Sequence, residues 1–197
     1  VSRLHRPALI GAAALAALLA TGCSGGPIGA DTPLNSGKSF VGSSYESTVF
    51  KIGSRPQAPA VSGNTVTGGK LSLAAYHGDV VVLNFWGSWC APCRDEAPAL
   101  GTLASEMQPK GVRFIGIDIR DQPDAAQAFM QDFRISYPSI SDPSDDIALE
   151  FRATDPPAAI PSTIIIDRTG RIAARIIGPV TYRTLQELLN PIIAEHA

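Results

Sequence analysis

Two cysteines separated by two residues, Cys90-Ala91-Pro92-Cys93, are the side chains with the most chemistry to offer in this sequence. A thiolate attacks disulfides, and a second thiol one helical turn on lies close enough to attack the mixed disulfide and release the product. As a staple the same pair would be weak, because so short a loop removes little entropy from the unfolded chain. Zinc is disfavoured for want of ligands: a structural site takes four, and beyond the first residues the histidines are His77 and His196, at no ligand spacing. No metal and no separate cofactor are therefore expected, the Cys90–Cys93 redox pair being the working group.

Such chemistry needs a place where a thiolate is favoured, and the flanking pattern supplies one. Residues 80–85 form an apolar run interrupted by Asn84, the mark of a strand buried on both faces. Gly87-Ser88-Trp89 then turns the chain into a helix predicted over 90–107, so that Cys90 meets the free N–H groups and positive dipole end of its first turn. Pro92 costs that turn no hydrogen bond. Further strands are predicted at 112–118, 163–167 and 172–177, and helices at 124–133, 142–151 and 182–195. Residues 64–67 and 70–73 read as a small hairpin about Gly68-Gly69. This β-α-β-α-β-β-α order predicts an α/β domain: a mixed central sheet with helices on both faces and the hairpin as an N-terminal extension.

The N-terminus carries a different message. Arg3, His5 and Arg6 precede 13 residues of Ala, Leu, Ile and one Gly from Ala8 to Ala20, too few for a hydrocarbon core that takes about 20. The run ends in Leu19-Ala20-Thr21-Gly22-Cys23, which resembles the lipobox of bacterial lipoproteins. It implies a signal peptide over 1–22 and a lipid on Cys23; the alternative is a plain cleavable signal that leaves a free thiol. Residues 24–48 are rich in Gly, Ser, Pro, Asn and Thr and read as a flexible tether spanning about 25–30 Å. Phe40, Tyr45, Val49 and Phe50 are placed to pack as a loose first strand. The expected organisation is thus 1–22 signal peptide, 23–50 lipidated tether and 51–197 folded domain, held by its lipid on the extracytoplasmic face of a bacterial membrane. A formal charge of −2 with no Lys/Arg cluster argues against nucleic-acid binding.

Trp89-Cys90-Ala91-Pro92-Cys93 resembles the active-site motif of the thioredoxin superfamily, and the longer run from Asn84 to Pro98 is similar to the TlpA/ResA-type envelope thiol–disulfide reductases. The likeness extends from about Arg55 to the C-terminus and implies a thioredoxin fold. It also implies a helix kink at Pro98 and a cis-proline loop at Ile160-Pro161, whose backbone would receive a substrate strand beside the cysteines. Thioredoxin has a buried Asp where this chain has Asn84; Glu96 instead matches a Glu of the ResA-type branch, implying a buried carboxyl that relays the proton of Cys93. The alternative for Glu96 is a solvated carboxylate paired with Arg94 or Lys110. Trp86 and Trp89 frame the motif, Trp89 as an apolar platform for the partner and Trp86 equally well as core. The acidic stretches 142–146 and 154–157 read as solvated surface that could flank the site.

The activity so implied is thiol–disulfide exchange by a membrane-tethered, monomeric enzyme. It would accept electrons from a membrane thiol donor and reduce disulfides of exported clients, an apocytochrome c first among them. An oxidant or isomerase of exported disulfides is the alternative within the same chemistry. A copper-binding assembly factor would want three residues between its cysteines and a distant loop His, whereas this chain has two residues there and His77 before the motif. A peroxidase of the peroxiredoxin type would want a Thr shortly before Cys90, which Gly87-Ser88-Trp89 does not supply.

Overall fold

The computed structural model describes residues 45–153 and 159–195. The expected signal peptide, Cys23 and most of the tether, the stretch 154–157 and His196 lie outside them. Eight strands and four α-helices follow one another as β1 (Glu46–Val49), β2 (Ser62–Asn64), β3 (Lys70–Ser72), β4 (Val80–Trp86), α1 (Ala91–Met107), β5 (Val112–Ile119), α2 (Pro123–Asp132), β6 (Ser139–Asp142), α3 (Asp146–Glu150), β7 (Ser162–Ile166), β8 (Ile172–Ile177) and α4 (Tyr182–Ala194).

Six strands make one mixed sheet in the order β1-β8-β7-β4-β5-β6. β4, β5 and β6 run parallel, while β7, β8 and β1 alternate antiparallel beyond β4. β4 is central and buried along its whole length. Its alternate side chains feed two cores, as the pleat requires. Val80 and Val82 join Phe114, Ile165 and the apolar faces of α1 and α4, including Leu100, Leu103, Leu185 and Leu189. Val81, Leu83 and Phe85 join Ile115, Ile117, Ile164 and, on the opposite face, Ala148 of α3 and Phe151. α2 lies over the end of β4, where Phe129 stacks on Trp86 at 4.5 Å between ring centroids. This is a thioredoxin-like fold with helices on both faces of a mixed sheet.

Three boundaries differ from the sequence expectation. The domain begins before residue 51: Glu46–Val49 pairs with β8 from Ile177 to Ala174, and the Phe50 N–H donates to the Ala173 carbonyl. Residues 142–151 are not one helix, because Ser139–Asp142 is a sheet strand and α3 begins only at Asp146. Ser-Ile-Ser-Asp has no apolar run to announce it; β5 alone makes it a strand, by parallel pairing of Gly116–Ile119 with Ser139–Asp142. The hairpin pairs Ser62–Asn64 with Lys70–Ser72, leaving residues 65–69 as its turn, with Gly68 and Gly69 both at positive φ. It covers the β6 edge, since Thr65 bridges Ile140 and the Val66 N–H donates to the Ser139 carbonyl. A Cβ at Gly63 would stand 2.5 Å from Ile140 Cγ2, so the hairpin can approach only through a glycine.

Candidate active site

β4 ends at Trp86 and α1 begins at Ala91, so Cys90 is the N-cap residue and its Sγ accepts from the Cys93 N–H at 3.3 Å. Pro92 sits in the first turn, where no intrahelical donor is lost. The two sulfurs are joined at 2.06 Å with Cα atoms 5.3 Å apart. Both are sheltered: Cys93 is 1% exposed and Cys90 4%. They lie in an apolar pocket with Trp86, Ala97, Phe129 and Met130. In the dithiol form, an N-terminal cysteine placed this way has its thiolate favoured by the helix dipole. α1 continues through Pro98 to Met107; Pro98 has no N–H to give the Arg94 carbonyl, which loses its helical bond.

The turn before Cys90 is laced from three sides. The Ser88 N–H and Oγ donate to the two oxygens of Asp121 at 2.6 and 2.8 Å, and Arg94 Nη2 donates to the Ser88 carbonyl at 2.7 Å. Trp89 gives its indole N–H to the Ile119 carbonyl at 3.3 Å yet keeps 53% of its surface exposed. Trp89 is thus a large, half-open apolar side chain immediately before the sheltered disulfide. The Ile160-Pro161 peptide bond is cis, and Ile160 packs against the group that holds both cysteines. The Pro161 carbonyl is taken by the Gly178 N–H. Ile160 is thus placed against the cysteine-bearing cluster, with Pro161 beside it in the chain and Trp89 next to Cys90.

Glu96 is 2% exposed, three residues beyond Cys93 on α1. Neither Arg94 nor Lys110 meets it. Its Oε1 accepts from Asn84 Nδ2 and its Oε2 from the Val180 N–H, each at 2.9 Å. Burial raises its pKa to about 7, against the opposing pull of those two donors. Asn84 thus holds the carboxyl in place and also reaches Thr163 Oγ1 at 3.2 Å. Trp86 is core, at 2% exposure. Asp142 is not solvated surface: it is buried and accepts from the Ala148 N–H at 3.0 Å. His77 follows the short turn 73–76 at the entry end of β4, a seven-residue strand of about 23 Å away from Cys90. No cluster of three or more His, Cys, Asp or Glu among the described residues could hold a metal ion.

Sequence reasoning missed Asp121, Asp118 and Val180. Asp121 carried a faint signal, standing just before Pro123 at a helix start; nothing marked Val180, whose contribution is a backbone N–H.

Residues 55–175 match the AhpC/TSA family across more than half of the chain. The chain belongs to the AhpC/TSA family. Within it, this member carries the Cys-x-x-Cys arrangement of a thiol–disulfide oxidoreductase, and its relatives carry that description. It is 35% identical over 118 residues to the thiol:disulfide interchange protein HelX of Rhodobacter capsulatus, covering 59% of this chain and 62% of HelX, somewhat under two thirds of that relative. It is 30% identical over 136 residues to the thiol-disulfide oxidoreductase ResA of Bacillus anthracis, covering 69% of this chain and 76% of ResA. Among solved structures, a secreted thiol-disulfide isomerase from Corynebacterium glutamicum matches with a TM-score of 0.72 and 32% identity, over 82% of this chain and 98% of that one. This AhpC/TSA-family chain is thus a thiol–disulfide oxidoreductase of the ResA/HelX type, working through Cys90 and Cys93.

Proposed function

We propose that the protein is an envelope reductase, tethered by a lipid on Cys23 to the outer face of the cytoplasmic membrane, that reduces disulfides in exported clients. The observation that carries the exchange step is the buried Glu96 carboxyl three residues beyond Cys93 on α1, held by Asn84 and Val180 with its pKa raised to about 7 by burial. The reducing direction is supported by the likeness to ResA. The Cys90 thiolate attacks one sulfur of the client disulfide, forming a mixed disulfide and expelling the client's other sulfur as a thiolate. Cys93 then attacks Cys90 Sγ and gives its proton to the Glu96 carboxylate. The client leaves as a dithiol, and Cys90–Cys93 is oxidised by two electrons. A membrane thiol donor returns the pair to the dithiol form by the reverse sequence.

Trp89 offers the client an apolar face, and the backbone at Ile160 and Pro161 borders the cysteines where an extended segment would lie. A Cys-x-x-Cys-His haem-attachment segment of an apocytochrome c is a client of suitable chemistry, extended and carrying its own disulfide. Support for this client comes from the likeness to HelX and ResA described above. The isomerase reading draws on the Corynebacterium neighbour. The reduction potential of the pair, measured against glutathione or dithiothreitol buffers, separates the two. A value well below that of protein disulfide isomerase, about −180 mV, is expected; a value towards about −120 mV would overturn the reductase direction.

A further inference from the structure

The turn that delivers Cys90 is held by a carboxyl pair that the cysteine chemistry leaves unused. Asp121 follows β5, is buried, and takes three donors: the Ser88 N–H at 2.6 Å, Ser88 Oγ at 2.8 Å and its neighbour's Gln122 N–H at 3.0 Å. It therefore ties the β4–α1 turn to the start of α2. Asp118, at the end of β5 opposite Trp86 of β4, is 2% exposed and lies against Asp121, whose charge and hydrogen bonding act on it. Its Oδ1 has no hydrogen-bond partner among the described residues.

Two carboxyls in contact do not both ionise without large cost, and hydrogen bonds decide which of them does. Three donors already engage Asp121 as an acceptor, whereas Asp118, buried with one oxygen unpartnered, is the member placed to hold a proton against it.

We propose that Asp121 is the positioning residue of the Gly87–Cys90 turn and that Asp118, as a neutral acid, is the partner that locks it there. Neither touches the reacting sulfurs. What they fix is the line along which Cys90 Sγ and the Trp89 platform meet a client, because Ser88 is bonded to Asp121 through both its backbone and its side chain. A client must engage Trp89 and the cysteine together, so a loosened turn costs attack on a protein disulfide more than attack on a small reagent.

Other charged groups at this end of the sheet are Asp142 of β6, Arg94 of α1, Asp124 of α2, and the Arg120–Asp145 pair. Burial first, then the charge of Asp121, their hydrogen bond and the charge of Asp142 raise the Asp118 pKa to about 8. Above that pH a second carboxylate forms against Asp121, and the lock is pushed apart.

The test uses the reduced full chain over pH 6 to 10. Two rates are measured: reduction of a disulfide-bonded peptide and alkylation of Cys90 by iodoacetamide. Their ratio removes the thiolate fraction and reports alignment. In the wild type that ratio is expected to fall about three- to tenfold between pH 7.5 and 9.5. For Asp118→Asn, whose amide donates to Asp121 and does not ionise, the profile normalised to its own value at pH 7 is expected to stay flat. Asp121→Asn is expected to lower the ratio about tenfold at pH 7, and Ser88→Ala, which keeps the backbone bond, by less. An Asp118→Asn profile superimposable on the wild type overturns the proposal, as does an undiminished ratio in folded Asp121→Asn. The inference rests on the thiol–disulfide chemistry and not on its direction, so a potential on the oxidising side would remove the reductase reading and leave this one standing.

Discussion

At Glu96 a single buried proton links folding to chemistry. An ordinary Glu titrates near 4.5, whereas burial in the fold carries this one to about 7. Between those values the folded protein binds more protons than the unfolded chain. Stability therefore falls as pH rises from about 4.5 to about 7 and stays at the lower level above, by on the order of 3 kcal/mol. Glu96→Gln is expected to abolish that fall, read by urea unfolding of the oxidised protein at pH 5 and pH 8. A wild type and variant whose difference is the same at both pH values would show that Glu96 keeps an ordinary pKa. The same variant should slow release of product from the mixed disulfide about tenfold or more while leaving the first attack by Cys90 intact, as quenched-flow trapping would resolve. That a carboxyl stood three residues after Cys93 was legible in the sequence. Its partners were not, because Asn84 arrives on a different element and Val180 offers only its backbone.

At the scale of the element, the strand least visible in the sequence is among the most constrained in the fold. β6 lies against β5 so closely that a Cβ at Gly116 would stand 2.2 Å from Ser139 Oγ and 2.6 Å from Trp86 Nε1. Gly116→Ala is therefore expected to destabilise the protein by about 1–3 kcal/mol through overpacking, measured by chemical denaturation. Ser139→Gly should recover part of that loss in the double variant; equal costs of Gly116→Ala with and without Ser139 would sink this account of the β5–β6 contact. Strands β4, β5, β7 and β8 were foreseen because each is an apolar run flanked by turns. β1 was anticipated only as a loose first strand around Tyr45, Val49 and Phe50, and β6 not at all, because edges are short and half polar and only a neighbour with open hydrogen bonds makes them strands.

Across the whole molecule, one guanidinium ties the far pole of the sheet. Arg55 donates to Asp167 at 2.9 Å and to both oxygens of Glu195 at 2.6 and 2.7 Å, joining the N-terminal segment, the β7–β8 turn and the end of α4. Arg55→Ala should cost about 2–4 kcal/mol, since it leaves the buried Asp167 without its cation, and should leave the reduction potential unmoved because β7 separates this cluster from Pro161. A shift in potential equal to that of an active-site variant would refute that separation. Burial alone would raise the Asp167 pKa, but hydrogen bonds from Thr169, Arg55 and Arg171 hold it below the usual carboxylate range. Its contribution is present above about pH 3.9 and is lost as pH falls through its depressed value, the opposite sense to Glu96. At the membrane, Cys23→Ser is expected to move the protein from the membrane to the soluble fraction of its host; retention on the membrane would remove the lipid anchor from the proposal.

The sequence by itself determined the reaction. Local order sufficed for this: a buried strand, a turn and a helix starting at Cys90 lie within one continuous stretch, and the motif's neighbours Glu96 and Pro98 follow on the same helix. Proline at 161 was likewise readable, because the resemblance covers the loop before β7. What the tertiary structure decided is which groups from distant segments close upon that stretch. Asn84 with Val180 on Glu96, and Asp121 backed by Asp118 on Ser88, are contacts between elements up to 84 residues apart. Burial in the fold, not sequence spacing, is the leading cause of the raised pKa of Glu96 and Asp118. A polar residue in the sequence carries no mark of whether the fold will leave it in water.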